Sequence, residues 1–258
     1  MSRPLNSKSE PATGEGSKFL MNVTGLEPAT RAKWPGTNLE QIEAIVDTGR
    51  RLVDLWEMSP VRLESNEPKT EEIIDILFPD NAFLCCGWTP HHFDTRRRTR
   101  WHKLHDLQFI VPNPMTAPLG LTQQQKLSAH ALSNTGTRRF LIVEFDFNLS
   151  NSAEEAGLIR KLATEGRDLR DLCAALLLHL AEKAPLALAV YSGAKSLHGW
   201  FYCSDVADEK VSRFFSYAVS LGADQANWNP SQFARMPDGL RDKCKRQTVY
   251  FFNPGVLK

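Results

Sequence analysis

The sequence has neither a long apolar run nor an excess of charge of one sign. Its 258 residues include 31 Lys and Arg against 30 Asp and Glu. No stretch reaches the ~20 consecutive apolar residues needed to cross a bilayer, and the N-terminus lacks the apolar run of a signal peptide. We therefore expect a cytoplasmic protein with no membrane partner. Any nucleic-acid binding must come from local basic patches, because the net charge provides no overall basic field.

Cysteine is scarce and irregularly placed. The five cysteines are odd in number and show no repeated spacing, which argues against a disulfide framework and fits a reducing compartment. A segment rich in Cys and His does occur, but its spacing lacks the usual zinc-ligand pairs, although two of its histidines are close together. We therefore do not expect zinc there. The residues of this segment are Cys85, Cys86, His91, His92, His102 and His105.

With 42% hydrophobic residues, the chain is long enough to bury a sizeable core. Residues 1–36 are rich in Ser, Pro, Gly, Glu and Lys, and this composition predicts a flexible tail. From 37 to 56 apolar residues recur at helical spacing, and Thr37 with Glu40 resembles a capping box. A second helix is expected from Thr70 to the residues before Pro79.

The rest of the chain alternates strands and helices. Helical patterns occupy 153–184 and 206–221, the second ended by Gly222. Strand-like runs occur at 82–86, 107–111, 139–147, 186–191, 197–202 and 248–252. This order predicts an α+β or an α/β domain, and we favour α+β, with a mixed or antiparallel sheet covered by helices. We divide residues 37–258 into a lobe of helices and strands at 37–138 and a second lobe at 139–258.

Two acids stand on one apolar strand. Glu144 and Asp146 occupy positions i and i+2, so both side chains project from the same face. Adjacent buried carboxylates repel each other unless a cation lies between them, and oxygen ligands of this kind suit Mg²⁺ or Mn²⁺. The alternative is a strand whose polar face simply meets solvent.

A turn with a lysine and a histidine follows later in the chain. In the run from Ser192 to His198, backbone N–H groups, hydroxyls, the Lys195 ammonium and an imidazole can converge on one anion, for which a triphosphate is the natural candidate. The alternative is a structural histidine beside a solvated lysine.

A third acid, Asp224, follows the glycine that ends a helix. It precedes the segment Arg235-Met-Pro-Asp-Gly and a basic tract that runs to Arg246. Asp is also a common turn former, so a purely structural role stays open at this position.

Together the three pieces resemble the archaeo-eukaryotic primase superfamily. Its signature is a strand with two acids, then a strand-borne s-x-H element, then an acid after a hydrophobic residue. The run SGAKSLHGWF is similar to the SGRRGVHCW segment of the small primase subunit, and RMPDG with the basic tract resembles plasmid- and phage-borne members. Two departures are Glu144, where Asp is more usual, and Ser196, where that subunit has Gly.

The resemblance implies an RRM-like catalytic core and a DNA primase or primase-polymerase activity. Two Mg²⁺ or Mn²⁺ ions would be held by Glu144, Asp146 and Asp224, and these acids with His198 would form the catalytic set. The triphosphate of an NTP or dNTP would meet His198, with Ser192, Lys195, Ser196 and Arg235 around it.

Two basic patches are candidates for contacting a single-stranded DNA template. In the first, tryptophan adds a surface on which bases can stack. No G-x-x-x-x-G-K-[ST] phosphate loop occurs in the sequence, so a replicative helicase would be a separate polypeptide. Two alternatives remain, a non-catalytic replication initiator that binds nucleic acid and a metal-dependent nuclease. The candidate DNA-binding residues are Arg97, Arg98, Arg100, Trp101, Lys243 and Arg246.

Overall fold

The computed structural model describes residues 34–64, 67–242 and 245–258. Most of the predicted flexible tail, residues 1–33, lies outside this part of the chain. Trp34 does not behave as a tail residue, because its ring packs edge-on against Phe215 at 5.1 Å and against Trp228 at 5.5 Å. Ordered packing therefore begins before the boundary we placed at residue 36.

The helices begin and end where the local sequence provides caps and glycines. The predicted helix over 37–56 is two helices, because Gly49 adopts a left-handed conformation (φ 81°) between them. Its N-cap is Asn38, which accepts a hydrogen bond from Gln41 N, rather than Thr37. Gly166 (φ 68°) divides the region 153–184 in the same way. The helices are α1 Leu39–Val46, α2 Leu52–Glu57, α3 Thr70–Leu77, α4 Ala153–Thr164, α5 Leu169–Ala181 and α6 Asp208–Ser220.

The strands match most of the predicted runs, although several are shorter. Within the described residues six strands were not expected, at 92–97, 120–121, 127–128, 234–235, 240–242 and 245–246. The strands are β1 Phe83–Thr89, β2 His92–Arg97, β3 Phe109–Ile110, β4 Gly120–Leu121, β5 Leu127–Ser128, β6 Phe140–Glu144, β7 Leu186–Tyr191, β8 Leu197–Tyr202, β9 Ala234–Arg235, β10 Leu240–Asp242, β11 Lys245–Arg246 and β12 Val249–Phe252.

The larger core is organised around a four-stranded antiparallel sheet with the order β12-β7-β8-β6. The α+β class is therefore confirmed. The element order along the chain, β6, helices, β7, β8, α6, β12, is that of an RRM-like fold. The strand order is not, because β12 pairs with β7, whereas an RRM fold would place it beside β6. Our prediction of an RRM-like sheet is wrong in this respect.

A second antiparallel sheet has the order β2-β1-β3-β9. Its strand β9 comes from the C-terminal half of the chain, while α1 and α2 from the N-terminal half pack against α5. The two halves therefore interlock, and packing does not follow the division at residue 138. One core lies between the helices and the larger sheet, and another lies between the two sheets with α3.

The interface between the sheets fixes the position of the acids. Phe140, Ile142 and Trp200 are buried there, and Phe140 packs edge-on against Trp200 at 5.5 Å. Burial of an apolar side chain of the size of Phe140 contributes about 1.5–3 kcal/mol, so this row anchors β6 and β8. Glu144 and His198 lie two positions further along the same faces of β6 and β8. The candidate site is therefore at one end of a rigid, closely packed interface.

Candidate active site

Glu144 lies at the meeting point of three chain segments. On one side β6 pairs with β8 so that Glu144 is directly opposite His198. On the other side Phe145 forms an isolated antiparallel bridge with Ala223, and Asp224 N donates to Glu144 O at 2.9 Å. Cross-strand partners in an antiparallel ladder share a face. The structure thus brings together all three of the sequence motifs.

The Glu144 carboxylate is held in place and ionised. Its Oε1 accepts a hydrogen bond from Ser196 Oγ at 2.9 Å and lies 3.1 Å from His198 Nε2. Burial alone would raise the pKa of this carboxyl group. The nearby His198, the Ser196 hydroxyl and the charge of Arg235 together outweigh burial and lower the pKa from 4.5 to about 2. Glu144 is therefore a preformed anion at neutral pH.

Asp146 lies two residues after Glu144, just past the end of β6, and has a different environment. Its side chain is 55% exposed, and its Oδ1 lies 2.7 Å from Lys195 Nζ, whose side chain is 46% exposed. Ion pairs this exposed contribute ~0–1 kcal/mol, since solvent screens both charges. Lys195 is therefore an exchangeable counter-ion for Asp146.

Asp224 is positioned by its backbone. Its exposed side chain accepts a hydrogen bond from Ala226 N at 2.9 Å and caps the short 3₁₀ helix that follows. The preceding Gly222 has φ 90°, and a Cβ atom there would lie 2.8 Å from the Phe147 ring. Only glycine fits this close approach, so Gly222 both ends α6 and sets the third acid beside β6.

The turn between β7 and β8 is built mainly by its own polar groups. Ser192 is buried, and its hydroxyl accepts a hydrogen bond from Ser196 N at 3.2 Å. Gly193 takes a left-handed conformation (φ 77°). Of the residues that we predicted to line a phosphate site, Ser192 and Ser196 thus shape the turn, while Lys195 is exposed. The structure adds Arg241, whose Nη1 donates to Ser192 O at 2.9 Å. Sequence reasoning placed Arg241 only in the basic tract.

His198 is a buried imidazole with unused hydrogen-bonding capacity. Its side chain is 4% exposed. Within the described chain neither ring nitrogen has a well-aligned hydrogen-bond partner, despite the close contact with Glu144. Buried polar groups are normally hydrogen-bonded, so an unsatisfied one at a cluster of acids and cations suits a site that a ligand completes.

Arg235 lies on β9, in the smaller sheet, rather than on a strand that carries the acids. Its guanidinium lies 4.6 Å from the centroid of the Phe109 ring, and its charge helps to lower the pKa of Glu144. The charge of Arg235, on the smaller sheet, therefore acts on Glu144 of the larger sheet, while its role at a triphosphate stays a prediction.

The acids are suitable for a divalent metal ion but are not arranged as a finished metal centre. Among residues 34–64, 67–242 and 245–258, no three His, Cys, Asp or Glu side chains form a group ready to hold a metal. Hard carboxylate oxygens on one face fit Mg²⁺ or Mn²⁺. Binding requires Lys195 to release Asp146, and Asp224 to turn from its cap.

In the Cys- and His-rich segment, Cys85 is buried, and burial raises its thiol pKa to about 11.

The predicted DNA-binding residues differ in availability. Arg98 is only 14% exposed and pairs with Asp75 at 2.6 Å, so its role is structural. Arg97 lies 4.0 Å over the Phe83 ring and Arg100 is exposed. Trp101 is half-buried, and its Nε1 donates to Leu84 O at 3.1 Å. Arg246 pairs with Asp238 at 3.6 Å. Lys243 lies outside the described residues.

Comparison with protein-family models, with curated proteins and with solved structures gives no match to this chain. In the described part of the chain, no helix combines the length and the apolar character that a membrane crossing needs.

Proposed function

We propose that this protein is a template-dependent nucleotidyltransferase of the primase-polymerase type, which uses two divalent metal ions to make or extend primers on single-stranded DNA. One observation carries the proposal. Backbone pairing brings the segment of Asp224 alongside the segment of Glu144 and Asp146, whose carboxylates contact His198 and Lys195, and the buried Glu144 is ionised.

Each residue has a role that follows from its surroundings. Glu144, Asp146 and Asp224 would hold Mg²⁺ or Mn²⁺. When bound, such ions lower the pKa of an attacking 3′-hydroxyl and neutralise charge on the departing pyrophosphate. Lys195 and Arg241, on either side of the turn after β7, would bind the triphosphate of an NTP or dNTP. The His198 imidazole would donate a hydrogen bond to the same triphosphate.

The support for nucleotide chemistry is the position of the hairpin formed by β10 and β11, which carries Arg241 and Arg246. A Cβ atom on Gly193 would lie 3.2 Å from the Arg241 side chain, so β10 and β11 lie against the lysine-bearing turn. Clustered acids alone would suit a nuclease equally well. Acids together with Lys195 and Arg241, which both contact the same segment of the site, favour a triphosphate substrate.

The experiment is nucleotide incorporation on a single-stranded template, with and without a primer, in the presence of Mn²⁺. We expect extended products from the wild-type protein and none from Asp146→Asn. The control is Asp80→Asn, which changes an exposed acid whose left-handed backbone (φ 66°) suits Asn equally well. Degraded template would instead identify a nuclease, and unchanged template that stays bound would identify an initiator.

A further inference from the structure

An exposed tryptophan stands at a bulge in the hairpin formed by β1 and β2. Gly87 pairs with Phe93 and Thr89 pairs with His92, so Trp88 is an extra residue with no partner of its own. A bulge of this kind redirects a side chain and twists the strand. Gly87 permits it, because a Cβ atom there would lie 2.8 Å from His92 O. As a result the Trp88 side chain is 56% exposed.

A cavity of about 350 Å³ lies beside this bulge. Its wall includes two tryptophans, a histidine and an arginine, with Leu107 and Phe93 deeper in the hairpin. The residues that matter for recognition are Trp88, His92, Arg96 and Trp101.

One wall of the cavity is fixed and the other is free. Trp101 is held by the hydrogen bond from its Nε1 to Leu84 O, and the Arg96 guanidinium lies 5.0 Å from its ring centroid. Arg96 also pairs with Asp94 at 2.7 Å, in a contact where both side chains are about half exposed. Trp88 makes no comparable contact in the described residues. The cavity thus offers an aromatic ring held by a hydrogen bond, an exposed aromatic ring and a guanidinium group.

We infer that this cavity binds one unpaired base of a single-stranded DNA, with the base stacked on Trp88 and its phosphate at Arg96. The inference rests on the proposed function for the identity of the partner. Charge supports it independently, because residues 91–103 contain five Lys and Arg and a single acid, Asp94. Base stacking on aromatic rings tolerates any sequence, as a template site must.

The test measures binding of a fluorescent oligothymidylate to the full chain without metal or nucleotide. We expect Trp88→Ala to weaken binding about 5- to 150-fold, the range found for stacked bases, and Trp88→Phe to restore most of it. Leu127→Ala, at another exposed apolar side chain (71%), is the matched control and should change nothing. Because Trp88 is exposed, all three variants should unfold at the wild-type temperature.

A scan of oligonucleotides with one abasic site makes the test specific. In the wild type one position should be sensitive to loss of its base, and in Trp88→Ala the scan should be flat. Unchanged affinity in Trp88→Ala, or an equal loss for single strands and duplex, would overturn the inference. Primer extension by the wild type separates the two proposals. If the wild type extends primers but Trp88→Ala gives the same abasic scan as the wild type, only the cavity proposal fails. If Trp88→Ala flattens the scan but the wild type makes no product, only the polymerase proposal fails.

Discussion

Glu144 and Asp146 are only two residues apart, one at the end of β6 and one just beyond it, yet they lie in different environments. Glu144 is 24% exposed, contacts Ser196 and His198, and its pKa is lowered to about 2. Asp146 is 55% exposed and pairs with Lys195, which is itself 46% exposed. The comparison indicates that the contacts of Glu144 form as the chain folds, whereas Asp146 has one exposed partner that a ligand can replace. Substitution of Asp146 should therefore change mainly ligand binding and activity, whereas substitution of Glu144 should change the stability of the fold.

The largest expected effect is on the exchangeable side. Asp146→Asn should lower nucleotide incorporation by more than ~100-fold, because even residues behind metal ligands cost 10- to 100-fold. The free energy of unfolding should change by less than ~1 kcal/mol, since the lost ion pair is exposed. Parallel incorporation assays and urea titrations check this. Substantial activity in the variant would remove Asp146 from the site.

Glu144→Gln should instead reduce stability, in a way that depends on pH. Because folding lowers the pKa of Glu144 from 4.5 to about 2, its carboxylate stabilises the fold above pH ~4.5, and this contribution is lost as the pH falls towards 2. The wild type should be more stable than the variant by up to ~3 kcal/mol at pH 7. Urea unfolding at several pH values should show this difference shrink between pH 5 and 3. A difference independent of pH would mean that packing, rather than charge, holds Glu144.

His198→Ala tests whether the fixed side also serves the ligand. The imidazole lies beside Glu144, and within the described part of the chain its ring nitrogens are not hydrogen-bonded, so it can donate to a phosphate. Nucleotide affinity should therefore fall about tenfold or more, as for loss of a hydrogen bond to a charged group. Affinity for single-stranded DNA should change much less. The control is His179→Ala, a half-buried histidine 2.7 Å from Tyr217 Oη, which should cost stability without a specific loss of nucleotide. Equal losses of both ligands in His198→Ala would assign the imidazole a structural role.

The smallest effect is expected for Lys195→Met. Without its ammonium, Asp146 has no competing cation, so Mn²⁺ measured alone should bind several-fold tighter, in keeping with the weak pair it replaces. Triphosphate should bind more weakly, because the variant lacks the ammonium group proposed to contact it. Lys161→Met is a matched control, because Lys161 forms a similarly exposed pair with Asp47 at 2.8 Å. If the two variants bind Mn²⁺ alike, Lys195 is not a counter-ion that the metal displaces.

The sequence predicts the strand pair that carries the site better than it predicts the surroundings. Strands β7 and β8 were expected at their observed bounds, because short apolar runs on either side of a turn with a glycine are local signals. The breaks at Gly49 and Gly166 were missed, since an isolated glycine within a helical pattern does not reveal its φ angle. The strand β9 and the order of the larger sheet depend on pairings between distant residues, which periodicity does not encode.

The site shows the same division. The closeness of Glu144 and Asp146 follows from their i and i+2 spacing alone. The contact of Asp224 with Glu144 does not, because it depends on a single bridge at Ala223. Trp101 was favoured as a stacking surface from composition, whereas its hydrogen bond to Leu84 leaves it half-buried. The bulge that exposes Trp88 is a register shift, which only the paired strands reveal.

The place of β6 at the margin of its sheet has a consequence for self-association. An unpaired strand margin offers free N–H and C=O groups to a second copy of the chain, and proteins often prevent such pairing with charge. On that side β6 is covered by the bridge at Ala223, by the 3₁₀ helix after Asp224 and by Asn113, whose Oδ1 accepts a hydrogen bond from Phe140 N at 3.0 Å. We expect the charges of Glu144 and Asp146 to oppose pairing at the end of β6 that this cover leaves open. A variant in which both Glu144 and Asp146 are neutral should aggregate at concentrations that the wild type tolerates.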